Sequence, residues 1–296
     1  MIRASAILAA AGQGRRFGGP GRASASKVEF EVAGKPVLLH AIDTLAARPE
    51  VAQILVAVDP DRFDEFADRW RDAIEDRGGT LVPGGRKDRW ETVRLALAEV
   101  DASCTHVAVH DAARPAASQA MLDRVFAAAG RLDAVIPGLP VSDTLHRAEP
   151  DDDPAEASAE AQGTATDVAD AILGLDPLDP SGVSPGGASG ALERHRVVEP
   201  VDRAGLFAVQ TPQVFERALL VNAYAELGDD PQGLTDDASV VLRAGGVVRI
   251  VAGDPTNLKL TRPGDAPLLE AILAARQTTD ARDKVKELWA DEEDRW

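Results

Sequence analysis

Several cations set among glycines have the residue types and spacing to hold phosphate. Ser5 to Lys27 reads SAILAAAGQGRRFGGPGRASASK. Gly12 and Gly14 would let the backbone approach a ligand with no Cβ in the way, and Arg15, Arg16 and Lys27 follow them. Such a cationic loop suits a polyphosphate and the charge that moves when a phosphoryl group is transferred. The run is neither the G-x-x-x-x-G-K-[ST] phosphate loop nor the G-x-G-x-x-G dinucleotide turn. An ordinary glycine-rich strand-to-loop connection fits the spacing equally well. Further along, Asp111 and Arg114 lie in V-H-D-A-A-R-P. Arg114 can grip a phosphate through two parallel bonds, and Asp111 could orient a substrate or help hold Mg²⁺. Lys259 sits between Leu258 and Leu260; alternation of this kind predicts a strand, where lysine is uncommon.

The elements that must position these residues follow from periodicity. Ala6 to Ala11 is a short apolar run ending at glycine, which predicts a buried strand. Val37, Leu38, Ala41, Ile42 and Leu45 form a helical face opened by Gly34-Lys35-Pro36. Gln53–Val58 predicts a strand, Pro60–Arg77 a helix, Thr80–Val82 a strand and Thr92–Val100 a helix. His106–Val109, Met121–Ala129 and Asp133–Pro137 continue the alternation. After an extended stretch from Arg196 to Val209, helices are predicted over Pro212–Leu227, over Thr235–Arg243 with Thr235 as N-cap, and over Pro263–Arg276. A strand is predicted over Val247–Val251. Alternating strands and helices imply an α/β protein: a mostly parallel sheet, helices on both faces and right-handed crossovers, with the ligand at the carboxyl ends of the strands.

Composition narrows the function. A net charge of −17 speaks against nucleic-acid binding, but local cationic loops can still draw an anion into a cleft. Residues 148–193 hold eleven acidic side chains and no Lys or Arg, so they account for −11 of that charge. A segment so acidic and poor in large apolar residues is expected to be disordered. The single Cys104 fits a reducing compartment. No apolar run is long enough to span a membrane, and the opening does not suit a signal peptide because its arginines follow the apolar run. A soluble, cytoplasmic protein is expected. The five histidines lack metal-ligand spacing, so zinc is not expected.

Seven further stretches occur in order: G-G-R-K-D-R-W-E-T-V at 84–93, V-H-D-A-A-R-P at 109–115, D-T at 143–144, V-D-R at 201–203, Q-T-P-Q at 210–213, T-D-D-A-S at 235–239 and N-L-K-L-T-R-P at 257–263. With the opening A-A-A-G-x-G-R-R-F and its later lysine, they resemble the sugar-phosphate nucleotidyltransferases, and among these the 2-C-methyl-D-erythritol 4-phosphate cytidylyltransferase family. The resemblance implies a Rossmann-like nucleotidyltransferase fold with a protruding β-arm at about 141–205, the acidic segment enlarging its tip. It implies one nucleotidyltransferase domain over 1–276, a charged tail over 277–296, and a homodimer joined through the arm. The implied reaction takes CTP and a polyol phosphate, with Mg²⁺ as cofactor.

Residue roles come with the resemblance. Arg16 and Lys27 are expected on the triphosphate, with Lys259 closing on the α-phosphate. Ala10, Ala11, Gly12, Gly14, Gly85, Arg89, Thr92 and Asp111 are expected to bind the nucleotide, Asp111 also the metal. Arg114, Thr144, Arg203, Thr211 and Thr235 are expected to bind the second substrate, with Thr144 and Arg203 reaching from the arm into a partner's site. This chain departs from the family's pattern in three places. Its second glycine loop is one residue longer, which leaves Asp88 unassigned; Ser26 precedes Lys27 where proline is usual; and the Arg16-to-Lys27 loop is long. Asp236 and Asp237 have the look of ordinary first-turn acids, and His110 of a structural residue. A pentitol-phosphate cytidylyltransferase, such as one acting on ribitol 5-phosphate, shares most of these motifs. A non-catalytic nucleotide-binding relative would need fewer of the cations.

Overall fold

The computed structural model describes residues 2–12, 27–151, 195–228 and 231–276. Gly14 and Arg16 therefore lie outside the described residues, as do most of the acidic segment and the charged tail. Two compact units divide the chain, Val141–Leu206 and the remainder.

In the larger unit the opening apolar run forms β1, Ala4–Ala9. Its alternation serves two faces: Ile7 packs with Trp90, Val93 and Phe215, whereas Ala6 and Leu8 pack with Leu38, Ile42 and Phe66. A small hairpin, β2 (Glu31–Val32) and β3 (Lys35–Pro36), leads into α1, Val37–Ala46. Then follow β4 (Val51–Val58), α2 (Phe63–Glu75), β5 (Gly79–Pro83) and α3 (Arg89–Leu97). β6 (His106–Asp111), α4 (Gln119–Ala129) and β7 (Ala134–Pro140) complete this alternation. β1 pairs in parallel with β4 and β6, and β4 with β5. β1, β6 and the Ile54–Val58 part of β4 are buried on both faces, which is why they read as near-continuous apolar runs, whereas β5 is the edge strand and leaves Thr80 exposed.

The carboxyl-terminal part departs from the predicted elements. Gln213–Glu216 is not the start of a helix; it is a strand, paired antiparallel to both β6 and β7. Val214 and Phe215 bury on opposite sides of the sheet, in different clusters, as a strand requires and a helical turn does not. Glu216 then accepts the Leu219 N–H at 2.6 Å and caps the helix Arg217–Ala225. The next helix is Asp237–Arg243, and its N-cap is Asp236 rather than Thr235. Asp236 and Ser239 close a capping box, leaving Thr235 exposed. The strand Arg249–Ala252 pairs in parallel with β7, and Phe207–Val209 pairs antiparallel to it. Residues 256–261, including Lys259, are not a strand. They form an irregular segment, fixed by the Leu260 N–H on the Ala113 carbonyl at 2.8 Å. Helix 266–276 follows.

In chain order the smaller unit contributes β8 (Leu145–Pro150) and β9 (His195–Val201), a two-stranded antiparallel ribbon. Phe207–Val209, Gln213–Glu216 and Arg249–Ala252 are then β10, β11 and β12, and Arg217–Ala225 and Asp237–Arg243 are α5 and α6. Arg147 pairs with Glu199 across the ribbon at 2.9 Å, and Val197 and Val198 are 59% and 48% exposed. Among the described residues no helix is long and apolar enough to cross a membrane.

Candidate active site

A pocket of about 480 Å³ opens where β1, β5 and β6 end, the carboxyl edge at which open α/β sheets bind ligands. Ala10, Ala11, Gly12 and Lys27 line one side, Gly85 to Arg89 and Thr92 another, and Asp111, Lys259 and Thr261 the floor and rim. Among the described residues, no atom lies within 4 Å of where a Gly12 Cβ would stand. Two residues after Lys27, Glu29 is buried and accepts the Trp70 indole N–H at 3.0 Å, with Arg62 at 3.4 Å. This anchors the segment that presents Lys27 to α2.

Asp111 is the electrostatic centre. Its Oδ2 meets Lys259 Nζ at 2.8 Å and Arg114 Nε at 3.5 Å, and its Oδ1 meets Arg89 Nε at 3.4 Å. Burial alone would raise its pKa, but Arg89 and Lys259, with Arg114 behind them, outweigh that and hold the carboxyl well below its usual range. Three cations thus converge on one buried carboxylate, and the excess positive charge favours an anionic ligand. Arg89 is braced from behind by Asp237, with Nη1 to Oδ2 at 2.5 Å and the Asp237 side chain fully buried. Burial disfavours the Arg89 charge, yet Asp237 and Asp111 raise its pKa. Its Nη2 has no hydrogen-bond partner among the described residues, leaving a buried donor for a ligand.

Asp237 is therefore not an ordinary first-turn acid. It also accepts the Tyr224 hydroxyl at 2.7 Å, completing a chain Tyr224–Asp237–Arg89–Asp111–Lys259. Sequence reasoning missed this residue. The T-D-D-A-S stretch shows two adjacent acids, and only burial distinguishes the second from the first, Asp236, which caps α6 and accepts from Gln213 at 2.7 Å.

Other expected residues sit elsewhere in the framework. The Thr211 hydroxyl accepts the Asp111 N–H and meets His110 Nδ1, both at 3.0 Å, so it orients the strand end that carries Asp111. Arg114 is absent from the pocket lining and donates to the Asn257 carbonyl at 2.7 Å; burial lowers its pKa against the pull of Asp111. Thr235 likewise does not line the pocket. Within the ribbon unit Thr144 is exposed, and Arg203 donates to the Ser142 carbonyl two residues before it. Asp88 stands at the N-cap of α3 without a side-chain cap bond and lines the pocket.

A divalent ion of the magnesium type fits this arrangement. Magnesium takes few protein ligands when phosphates and waters supply the rest, and among the described residues Asp111 Oδ1 has only the long contact to Arg89, leaving lone pairs to ligate. No group of three or more metal-ligating side chains occurs among the described residues.

A mostly parallel sheet, with glycine-bordered cations at its carboxyl edge around one carboxylate, defines an α/β nucleotidyltransferase. The sequence pattern of the IspD family, 2-C-methyl-D-erythritol 4-phosphate cytidylyltransferase, matches residues 4–162 and 189–275, and the chain belongs to that family. It is 35% identical over 280 residues to a protein of that name from Streptomyces coelicolor, covering 94% of this chain and 87% of that one. A Streptomyces avermitilis protein of the same name is 34% identical, with 94% of each chain covered. Among solved structures, a 4-diphosphocytidyl-2C-methyl-D-erythritol synthase superposes with a TM-score of 0.64 at 28% identity, covering 92% of this chain and all of the other. The Thermus thermophilus cytidylyltransferase gives a TM-score of 0.61, also at 28% identity, covering 92% and 98%.

Proposed function

We propose that this chain transfers CMP from CTP to 2-C-methyl-D-erythritol 4-phosphate, releasing pyrophosphate, as a step of non-mevalonate isoprenoid synthesis. An oxygen of the acceptor phosphate attacks the α-phosphorus, and the bond from that phosphorus to the bridging oxygen of pyrophosphate breaks. A phosphate monoester loses its second proton near pH 6, so the nucleophile is already largely ionised and no general base is required. The task left to the protein is to bring two anions together and stabilise the departing one. The observation that carries this is the convergence of Arg89, Arg114 and Lys259 on Asp111 at the pocket floor. When triphosphate enters, Lys259 can exchange Asp111 for the α-phosphate, and Lys27 faces the same space from the β1 side.

Arg16 is assigned to the triphosphate by its place in the opening motif. Mg²⁺, ligated by Asp111 and the triphosphate oxygens, would supply further positive charge to the leaving group. Thr144 and Arg203 of the ribbon, with Arg114, Thr211 and Thr235, form the acceptor set, and the ribbon joins two subunits. The relatives' names favour methylerythritol phosphate over the pentitol phosphates, and an enzyme over a non-catalytic binder. The unpaired Cys104 suits the reducing cytoplasm. The deciding experiment measures pyrophosphate release from each nucleoside triphosphate against a panel of polyol phosphates. CTP with methylerythritol phosphate should give the highest kcat/KM; a higher value with ribitol 5-phosphate would transfer the assignment to that acceptor.

A further inference from the structure

Two buried amides, Gln210 and Asn257, are absent from the pocket lining yet fasten the segment that carries Lys259. β12 ends at Ala252, and the Gly253 N–H still reaches the Gly138 carbonyl of β7 at 2.9 Å. At Asp254 the Gln210 side chain takes the place of a strand. Its Nε2 donates to the Asp254 carbonyl at 2.8 Å, and its Oε1 accepts the Asp254 N–H at 3.0 Å. This double exchange is the one that paired strands make, and only one orientation of the amide satisfies both bonds. A Cβ on Gly253 would stand 2.6 Å from Gln210 Oε1, so the approach requires glycine. The Asn257 N–H then closes a turn on the Asp254 carbonyl at 3.0 Å. Asn257 Nδ2 donates to the Thr211 carbonyl at 2.9 Å, and its own carbonyl accepts Arg114 Nη1 at 2.7 Å.

Thr211 is where these ties meet the charged end of the site. Its hydroxyl accepts the Asp111 N–H at 3.0 Å, and its carbonyl holds Asn257, two residues before Lys259. Lys259 Nζ in turn meets Asp111 Oδ2 at 2.8 Å. Gln210 and Thr211 together therefore fix both backbones of that contact, the one bearing the carboxylate and the one bearing the ammonium. A lysine has a flexible four-carbon stem, so where its ammonium can reach depends on where its backbone is held. We propose that Gln210 and Asn257 are positioning residues for the transfer step: they hold residues 254–259 so that Lys259 stands beside Asp111 and meets the α-phosphate as it enters. This rests on the assignment of Lys259 to the α-phosphate and deepens it. Amides that only finished the sheet edge would contribute stability and leave the rate of the folded protein alone.

The test measures single-turnover rate, CTP affinity and thermal melting for Gln210→Met, Asn257→Ala and each of these combined with Lys259→Ala. Gln210→Met keeps the length of the side chain and removes both of its bonds to Asp254. Each single variant should lose about tenfold or more in rate, since misplacing a reacting group by about 1 Å can cost up to about a hundredfold. CTP affinity should change less than the rate. On the Lys259→Ala background the same substitutions should lower the residual rate by no more than about twofold, because the group they position is gone. Wild-type rates in folded Gln210→Met and Asn257→Ala, or losses that multiply in full with Lys259→Ala, would overturn the inference. If Gln210→Met does not fold, Gln210→Glu, which keeps the length and the acceptor but not the donor, decides by the same two measures. A wild-type protein inactive with CTP would sink the functional assignment, and the inference with it.

Discussion

His110 adjoins the most charged residue of the pocket and is itself fully buried. Because the Thr211 hydroxyl takes the Asp111 N–H as acceptor, its own proton points to His110 Nδ1, and His110 Nε2–H donates to the Arg114 carbonyl at 3.1 Å. The ring is held neutral: burial pushes its pKa down to about 4, against the pull of Asp111. Between about pH 6.5 and 4 the unfolded chain binds a proton here that the folded chain refuses. Stability from this group is therefore complete above 6.5, falls as pH drops towards 4, and changes no further below that. The loss is on the order of 3 kcal/mol, from 2.5 pH units at about 1.4 kcal/mol each. His110→Gln should be less stable at pH 7, yet its denaturation midpoint should fall less steeply between pH 6.5 and 4 than that of the wild type. Equal slopes would remove His110 from the acid response. Asp111 does not confuse the measurement, since its carboxyl, depressed by its cations, titrates below this window.

At the scale of elements, the Arg89–Asp237 pair ties α3 to α6 across a sequence separation of 148 residues. Removing one partner of a buried ion pair strands the other, typically at about 3–5 kcal/mol. Asp237→Ala should lose stability on that scale in chemical denaturation and weaken CTP binding, because Arg89 is no longer braced. Tyr224→Phe, which removes one hydrogen bond, should cost about 1 kcal/mol and leave CTP binding nearly intact. Equal effects from both would mean that Asp237 serves packing alone. This pair also marks where the sequence stops being legible. β1, β4, β6, α1 and α4 could be read because burial on one or both faces writes a local apolar pattern. Asp111 and the two glycine loops stood out because motif and strand end coincide. Nothing local says that Asp237 rather than Asp236 is buried, since its partner arrives only with the tertiary fold. The β11 strand was hidden for a similar reason. Four residues running directly into a helix show no period of their own, and the pairing that makes them a strand comes from β6 and β7. Lys259 read as strand because Leu258 and Leu260 alternate around it, and both pack into one apolar cluster without any strand pairing.

For the whole molecule, the proposed dimer makes a prediction that neither unit makes alone. If Arg203 and Thr144 serve a partner's pocket, Lys27→Ala and Arg203→Ala proteins should each be nearly inactive. Mixed after mild dissociation, they should regain up to about a quarter of wild-type turnover, since random pairing gives half heterodimers and each of these holds one intact site. Absence of any recovery, with mixed dimers demonstrated, would place all residues of a site on one chain. The ribbon has another consequence. Pro150 and His195 are direct cross-strand partners, and such partners lie about 5 Å apart, whatever length of polypeptide runs between them. The entropy of closing that span grows only slowly with its length. The tip of this hairpin is thus a natural splice point: a foreign domain whose two ends lie close together could be grafted there, turning the enzyme into a carrier while β8 and β9 keep their register.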